Sequence, residues 1–359
     1  MELSATTLAI LCGFLGGFAL GVAARWGRFC TLGAIEDSLY GGDNRRLRSW
    51  AVAIGTAVLL VHLLWWNGLI DLRDSFYITS PLSLIGIAVG GTLFGIGMAL
   101  TGTCAYGVLA RVGGGDLKAM VVFMVIGVCA YATLSGIFAP IRIWLESFAL
   151  PLNEIGGQHI GLLLSALTGH NIVPASILIT VGALYYWSFK DASFRRSAKH
   201  LVSGLTVGIV IALGWTVTSI LRDYSFDPVA FQSYTFVAPS GRTLVYFMTY
   251  MSSAADFGIG TVVGVVVGAL VTTLIQHRFH WEACDDVREL RRHMIGGAFM
   301  GVGGILALGC SVGQALSAAS CFALSAPIAI AAMVFGARLG LVYLVEGRIG
   351  LPFLGSRTG

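Results

Sequence analysis

The chain has 359 residues, 56% of them hydrophobic and 11% charged, with a mean hydropathy of +0.84. Soluble domains carry about 25% charged residues, so the composition excludes an ordinary soluble domain and points to an all-α integral membrane protein. The net charge of +4 then reports membrane topology, and no basic-aromatic patch suggests a nucleic-acid partner.

Nine apolar runs are long enough to cross a bilayer, at roughly 3–24, 50–68, 81–101, 119–139, 172–189, 201–221, 257–276, 294–308 and 327–345. The first lacks the basic head and cleavage site of a secretory signal peptide. It leads into "RWGRFCTLGAIEDSLYGG" (25–42), where Arg25 and Arg28 flank Cys30. The run at 81–101 stops in "LTGTCAYGVLARVGGGD" (100–116), and the run at 294–308 stops in "LALGCSVGQALSAAS" (306–320). Both stops are a cysteine in a turn of small residues. Basic residues gather in three loops, 45–48, 190–199 and 277–292. Short basic loops stay in the cytoplasm. The expected topology therefore has the N-terminus outside and the C-terminus cytoplasmic.

The two cysteine turns align at an offset of 206 residues. "GGTLFGIGMALTGTCAYG" (90–107) faces "GGAFMGVGGILALGCSVG" (296–313), with five glycines, one leucine and the cysteine in common. A weaker match sets "RWGRFCTLGAIED" against "FVAPSGRTLVY" (236–246), with Cys30 opposite Val237 at an offset of 207. Four spans then fall in each half with one extra span between them, and an odd linker span turns the second half upside down. The expected organisation is a first inverted repeat at 1–139, a linker with the extra span at 140–200, a second repeat at 201–345 and a cytoplasmic tail at 346–359. Inverted repeats with broken helices are a sequence mark of secondary transporters, whose site lies where the breaks meet. Non-helical backbone at that depth survives only where protein or a water-filled cavity surrounds it. The competing explanation for so many glycines is close helix packing.

A thiol is a weak donor and acceptor, soft and polarizable. A ring of thiols suits brief occupancy by a sulfur-containing anion, with helix N-termini adding attraction for negative charge. Cys12, Cys129 and Cys321 lie in or beside apolar runs without a helix break and read as small buried hydrophobes. His277, His280, Cys284 and His293 have a loosely zinc-like spacing but sit among acids and arginines, which fits a solvated loop better than a metal site. The chain has no Walker A sequence, nucleophile elbow or HExxH, so neither a cofactor nor an enzymatic reaction is expected. A second reading stays open: a membrane sulfurtransferase carrying a persulfide, which needs an activated thiolate beside a cation. Only Cys30 with Arg25 and Arg28 approaches that arrangement.

In "RFCTLGAIED", "GMALTGTCAYGVLARVGGGD" and "LGCSVGQALSAAS" the sequence resembles the YeeE/YedE family of bacterial sulfur-compound transporters, and the likeness extends over the nine-span layout. The resemblance implies an importer of thiosulfate in the bacterial inner membrane, hourglass-shaped, narrowing at the cysteine loops. It assigns substrate contact to Cys30, Cys104 and Cys310, with Cys104 central, Cys310 on the outer approach and Cys30 toward the cytoplasm. The loop residues expected to support them are Arg28, Thr103, Gly107, Gly309, Ser311, Gly313, Gln314, Ser240 and Gly241. Besides thiosulfate and membrane lipid, the implied partner is a small cytoplasmic sulfurtransferase of the TusA type, docked on the basic inner loops. Family members also handle other sulfur and selenium species.

Overall fold

The computed structural model describes residues 5–152, 156–224, 229–251, 254–283 and 286–346, and every regular element among them is helical. In chain order, α1 (Ala5–Trp26) breaks before α2 (Thr31–Leu39), and α3 (Arg45–Trp66) returns. After the short α4 (Phe76–Thr79), α5 (Leu84–Thr101) breaks before α6 (Ala105–Val112) and α7 (Leu117–Leu134) follows. The middle of the chain forms α8 (Ala139–Glu146), α9 (Ile160–Thr168), α10 (Val173–Phe189) and α11 (Ala192–Arg195). The remainder is α12 (Ala198–Tyr224), α13 (Val237–Met248), α14 (Phe257–Ile275), α15 (Val287–Leu306), a π-helical turn at Gly313–Ala318, and α16 (Ser325–Glu346).

Seven helical stretches among the described residues are long and apolar enough to span a membrane, with α1–α2 and α5–α6 each acting as one interrupted stretch. The expected count of nine is therefore not met by length and composition alone. The two runs that fall short have identifiable reasons. Helix α10 has only 17 residues, and α15 opens on Arg288, Glu289, Arg291 and Arg292 before its apolar part begins. The run expected at 119–139 also ends early, because Ser135 caps α7 and Pro140 starts α8.

Glycine sets how these helices meet. In α1, Gly13, Gly17 and Gly21 recur every four residues, and so do Gly260, Gly264 and Gly268 in α14. The two stripes lie against each other in parallel, so that a Cβ on Gly264 would stand 2.9 Å from the Phe14 carbonyl carbon and 2.9 Å from the Phe18 nitrogen. Small residues at this spacing let backbones approach closely, which drives helix association where lipid removes the hydrophobic incentive. Gly204 and Gly208 of α12 lie in the same parallel sense against Ser49, Ala53 and Thr56 of α3. Helices α5 and α15 run antiparallel: Gly90 meets Gly303 and Ala307, and Gly97 meets Gly296 and Met300.

The packing pairs are reciprocal. Gly95 of α5 abuts Gly336 and Ala337 of α16, while Gly301 of α15 abuts Cys129 and Ala130 of α7. Helix starts in the two halves also correspond. Thr31 and Val237 are 206 residues apart, as are Ala105 and Ser311, and the α3/α14, α5/α15 and α7/α16 starts fall within six residues of that spacing. At α2 and α13 the equivalent caps are Cys30 and Phe236, one residue from the sequence alignment, which had set Cys30 against Val237.

On the face carrying the basic loops, the 277–283 segment is tied to the turn before α7. Glu282 N–H donates to the Gly115 carbonyl and Leu117 N–H to the Glu282 carbonyl, each at 3.1 Å. Lys118 Nζ lies 3.4 Å from Glu282 and 3.3 Å from Glu289.

Candidate functional site

Each helix break turns the chain with a local device. At the first, Arg28 takes a left-handed φ of 52° and the chain enters α2 through Cys30 in extended geometry. At the second, Gly102 caps α5 with φ 70°, the left-handed position that glycine fills without a Cβ penalty. Cys104 then starts α6. The third break passes through Leu308, also left-handed at φ 59°, to Cys310. The fourth enters α13 through Phe236.

Ser83, Asp116, Asp256 and Asp286 cap α5, α7, α14 and α15 with side-chain oxygens. Cys30, Cys104 and Phe236 place no side-chain oxygen there, as is also true of the starts of α3, α8 and α10. The first N–H groups at the breaks keep the partial positive charge of a helix N-terminus, which favours an anion. The three sulfurs face the N–H three residues on: Cys310 accepts the Gly313 N–H at 3.3 Å, and Cys30 and Cys104 interact with the Gly33 and Gly107 N–H groups.

The thiols and hydroxyls of these breaks form a series. Cys30 Sγ lies 3.7 Å from Thr103 Oγ1, which brings the next residue, Cys104, beside it, and the two thiols interact electrostatically. Ser311 stands beside the Cys104 thiol, its buried hydroxyl lacking a well-directed partner. Cys310 Sγ lies 3.8 Å from Thr235 Oγ1, and Thr235 and the Tyr77 hydroxyl both crowd the point where a Cβ on Gly313 would stand. Cys104 and Cys310 are fully buried, and Cys30 is partly exposed.

The expected supporting residues divide. Thr103 and Ser311 stand among the thiols, and Gly107 packs 3.8 Å from Cys104 Sγ, measured from where its Cβ would be. A Cβ on Gly313 would lie 3.2 Å from the Tyr77 hydroxyl. Gln314 is buried, its Nε2 donating to the Ala307 carbonyl at 2.7 Å while Oε1 has no partner. Gly309 lines a cavity described below. Ser240 bonds its own helix at the Phe236 carbonyl, 2.6 Å away, and Gly241 packs on Gly127 and Tyr131, so both serve the α13–α7 contact. Arg28 is exposed, and Arg25 donates to the Ala110 carbonyl at 3.0 Å. The cation–thiol constellation considered for a persulfide enzyme therefore has its two arginines otherwise placed.

Sequence reasoning missed Thr235, Tyr77 and Arg111. Arg111 donates to the Gly102 carbonyl at 3.3 Å and its charge faces Cys30. Thr235 precedes the cap equivalent to Cys30, so carrying the 206-residue register one break further leads to it. Cys321 is less apolar in setting than expected: it is fully buried, but its thiol donates to Ser75 Oγ at 3.7 Å.

Two cavities flank the series. One, of about 530 Å³, is lined by Tyr77, Thr235, Gly309 and Leu134, with Arg142 and Arg242 in its wall. Their ion pairs with Glu146 (2.7 Å) and Asp256 (2.6 Å) leave both Nε atoms without partners. The other, of about 330 Å³, is lined by Arg25, Arg111, Lys118, Arg278, His280 and His293 facing Asp116, Glu282 and Glu289. Lys118 and Leu134 lie at opposite ends of α7, which at 1.5 Å per residue separates the cavities by about 24 Å. Among the described residues no three His, Cys, Asp or Glu side chains are grouped to hold a metal; Cys284, part of the zinc-like spacing, lies outside them.

Residues 26–339 match the sequence profile of the sulphur-transport family. The chain belongs to that family. A thiosulfate transporter TsuA of Spirochaeta thermophila is 28% identical over 330 residues, covering 90% of this chain and 96% of the relative. The thiosulfate transporter TsuA of Escherichia coli K12 is 23% identical over 351 residues, covering 94% of this chain and 92% of the relative. As a member of the sulphur-transport family with seven candidate spans, the protein is a multi-pass membrane transporter of sulfur compounds and not an enzyme.

Proposed function

We propose that the chain imports thiosulfate across the bacterial inner membrane, passing it between the thiols of Cys310, Cys104 and Cys30 in that order. The observation that carries this reading is the thiol series between two arginine-lined cavities at opposite ends of α7. The relatives' names supply the substrate. Thiosulfate has a soft terminal sulfur that thiols meet well and a sulfonate head that accepts hydrogen bonds from hydroxyls and helix N-terminal N–H groups. No Lys or Arg is needed in contact with the thiols, and weak binding at several stations favours passage over trapping.

The two halves are read as inverted repeats, supported by the antiparallel α5–α15 crossing and the reciprocal glycine contacts. The N-terminus lies outside and the C-terminus inside, as the basic loops require. The 530 Å³ cavity is then the outer vestibule, and the basic cavity with its neighbouring 277–283 loop is the face for a TusA-like sulfurtransferase.

Uptake of radiolabelled thiosulfate into proteoliposomes tests the assignment. Saturable uptake, poorly inhibited by sulfate because sulfate lacks the terminal sulfur, is expected; absence of uptake by well-folded protein rejects thiosulfate as the substrate. Thr235 supplies a finer test. Thr235→Val keeps the shape but removes the hydroxyl that faces Cys310. It is expected to slow uptake by roughly tenfold, the effect of losing one hydrogen bond of about 1.4 kcal/mol, with Thr235→Ser near the parent rate. Equal rates for all three proteins would take Thr235 off the path.

A further inference from the structure

Of the six described cysteines, Cys30 and Cys104 are the pair whose thiols stand side by side, Cys30 Sγ being 3.7 Å from Oγ1 of the residue before Cys104, and interact with each other. They come from breaks in different stretches, α1–α2 and α5–α6, and meet because Thr103, the residue before Cys104, brings its hydroxyl to 3.7 Å from Cys30 Sγ. Cys310 bonds Thr235 and Gly313 instead, and Cys321 bonds Ser75. The pair is also asymmetric. Cys30 is partly exposed, whereas Cys104 is fully buried. An anion reaching Cys30 meets the charge of Arg111 and the N-terminus of α2.

We propose that Cys30 and Cys104 are a dithiol that tetrathionate, the two-electron oxidised dimer of thiosulfate, converts to a disulfide, closing the path. This inference rests on reading these loops as the substrate path. An oxidant built from two substrate units presents the sulfonate heads that the path accepts and places an S–S bond against a thiol. In the first step the Cys30 thiolate attacks a central sulfur of tetrathionate. A Cys30 S–S bond forms, the central S–S bond breaks, and one thiosulfate leaves with the electron pair. In the second, the Cys104 thiol loses its proton and attacks Cys30 Sγ, expelling the second thiosulfate. In sum, two thiols and one tetrathionate give one disulfide, two thiosulfates and two protons; the protein is oxidised and tetrathionate reduced. Exchange of this kind requires an in-line approach of thiolate to disulfide and a good leaving group, and thiosulfate is a stable anion. The step makes the gate sensitive to the oxidation state of its own cargo: thiosulfate passes, and its oxidised dimer locks the narrowest point until a reductant reopens it.

Purified full-length protein in detergent, treated with tetrathionate and digested without reductant, is expected to yield a Cys30–Cys104 cross-linked peptide and two thiosulfates per chain. Proteoliposomes treated alike should lose nearly all uptake and recover it with dithiothreitol. Cys104→Ser should stop at a thiosulfate adduct on Cys30 with one thiosulfate released, and Cys310→Ser should still cross-link. These products are read by mass and do not depend on whether a variant transports. Both thiols remaining free to alkylation, or Cys30 pairing with another cysteine, overturns the inference. A protein that takes up thiosulfate but ignores tetrathionate loses this inference alone. One that cross-links but never transports retains the dithiol and loses the transport reading.

Discussion

Replacing Cys104 with alanine is expected to abolish thiosulfate uptake while leaving the protein folded. Cys104 touches both neighbours in the series, the Cys30 thiol on one side and Ser311 on the other. Alanine removes the central thiol of the series and leaves a gap between its neighbours. Two weak contacts of about 1 kcal/mol each set the expected loss at ten- to a hundredfold or more, since each tenfold in rate is about 1.4 kcal/mol. Serine keeps an O–H donor and should retain part of the rate, but it is smaller and less polarizable than the thiol. Initial rates in proteoliposomes at matched protein content provide the measurement, with Cys12→Ala, half-buried on α1, as the unaffected control. Parent-like transport by Cys104→Ala would remove the thiol from the mechanism.

The second large effect is on folding. Gly264→Leu places a side chain where the backbone of α1 runs, and neither Phe14 C nor Phe18 N, each 2.9 Å from the would-be Cβ, has room to give way. Overpacking one methyl-sized group costs about 1–3 kcal/mol, so Gly264→Ala should lower the unfolding temperature and Gly264→Leu should eliminate monodisperse protein. Gly182 on α10 makes the contrast, because a Cβ there meets no atom within 4 Å. Gly182→Ala should be neutral or stabilising by up to about 1 kcal/mol through helix propensity. Size-exclusion profiles and thermal unfolding in detergent distinguish these outcomes; a stable Gly264→Leu protein would show that the two stripes do not bear on each other.

The cysteine turns were legible because chemistry and local geometry coincide in them. "LTGTC" and "LALGC" end apolar runs with the small residues that a break needs, and Gly102 at φ 70° meets that need. The register between them sets α5 opposite α15 and Ala105 opposite Ser311, and the helix starts keep that spacing to within three residues. The thiol partners were not legible for a different reason. Thr235 is 75 residues from Cys310 and Thr103 is 73 from Cys30, so only the folded chain brings them together. Arg28 was singled out for its adjacency to Cys30 in sequence; in the structure it is exposed, on a residue with left-handed backbone. Ser240 and Gly241 misled because small polar residues look alike whether they line a path or let two helices touch. The count of spans was blurred by α15, whose charged first turns hide an apolar helix from a hydropathy window.

The paired stripes of α1 and α14 bear on time as well as on stability. With backbone against backbone at Gly13, Gly17 and Gly21 on one helix and Gly260, Gly264 and Gly268 on the other, the two helices share no soft layer of long side chains that can flex. Such a contact ties the two backbones together. Domain rocking, which runs on microseconds to milliseconds, would have to carry that pair whole. Rotation of a thiol or hydroxyl at the breaks needs no such movement and completes in picoseconds to nanoseconds. A path that hands its cargo from thiol to thiol, as proposed above, would run on the faster of these two clocks, with the paired stripes as its fixed frame.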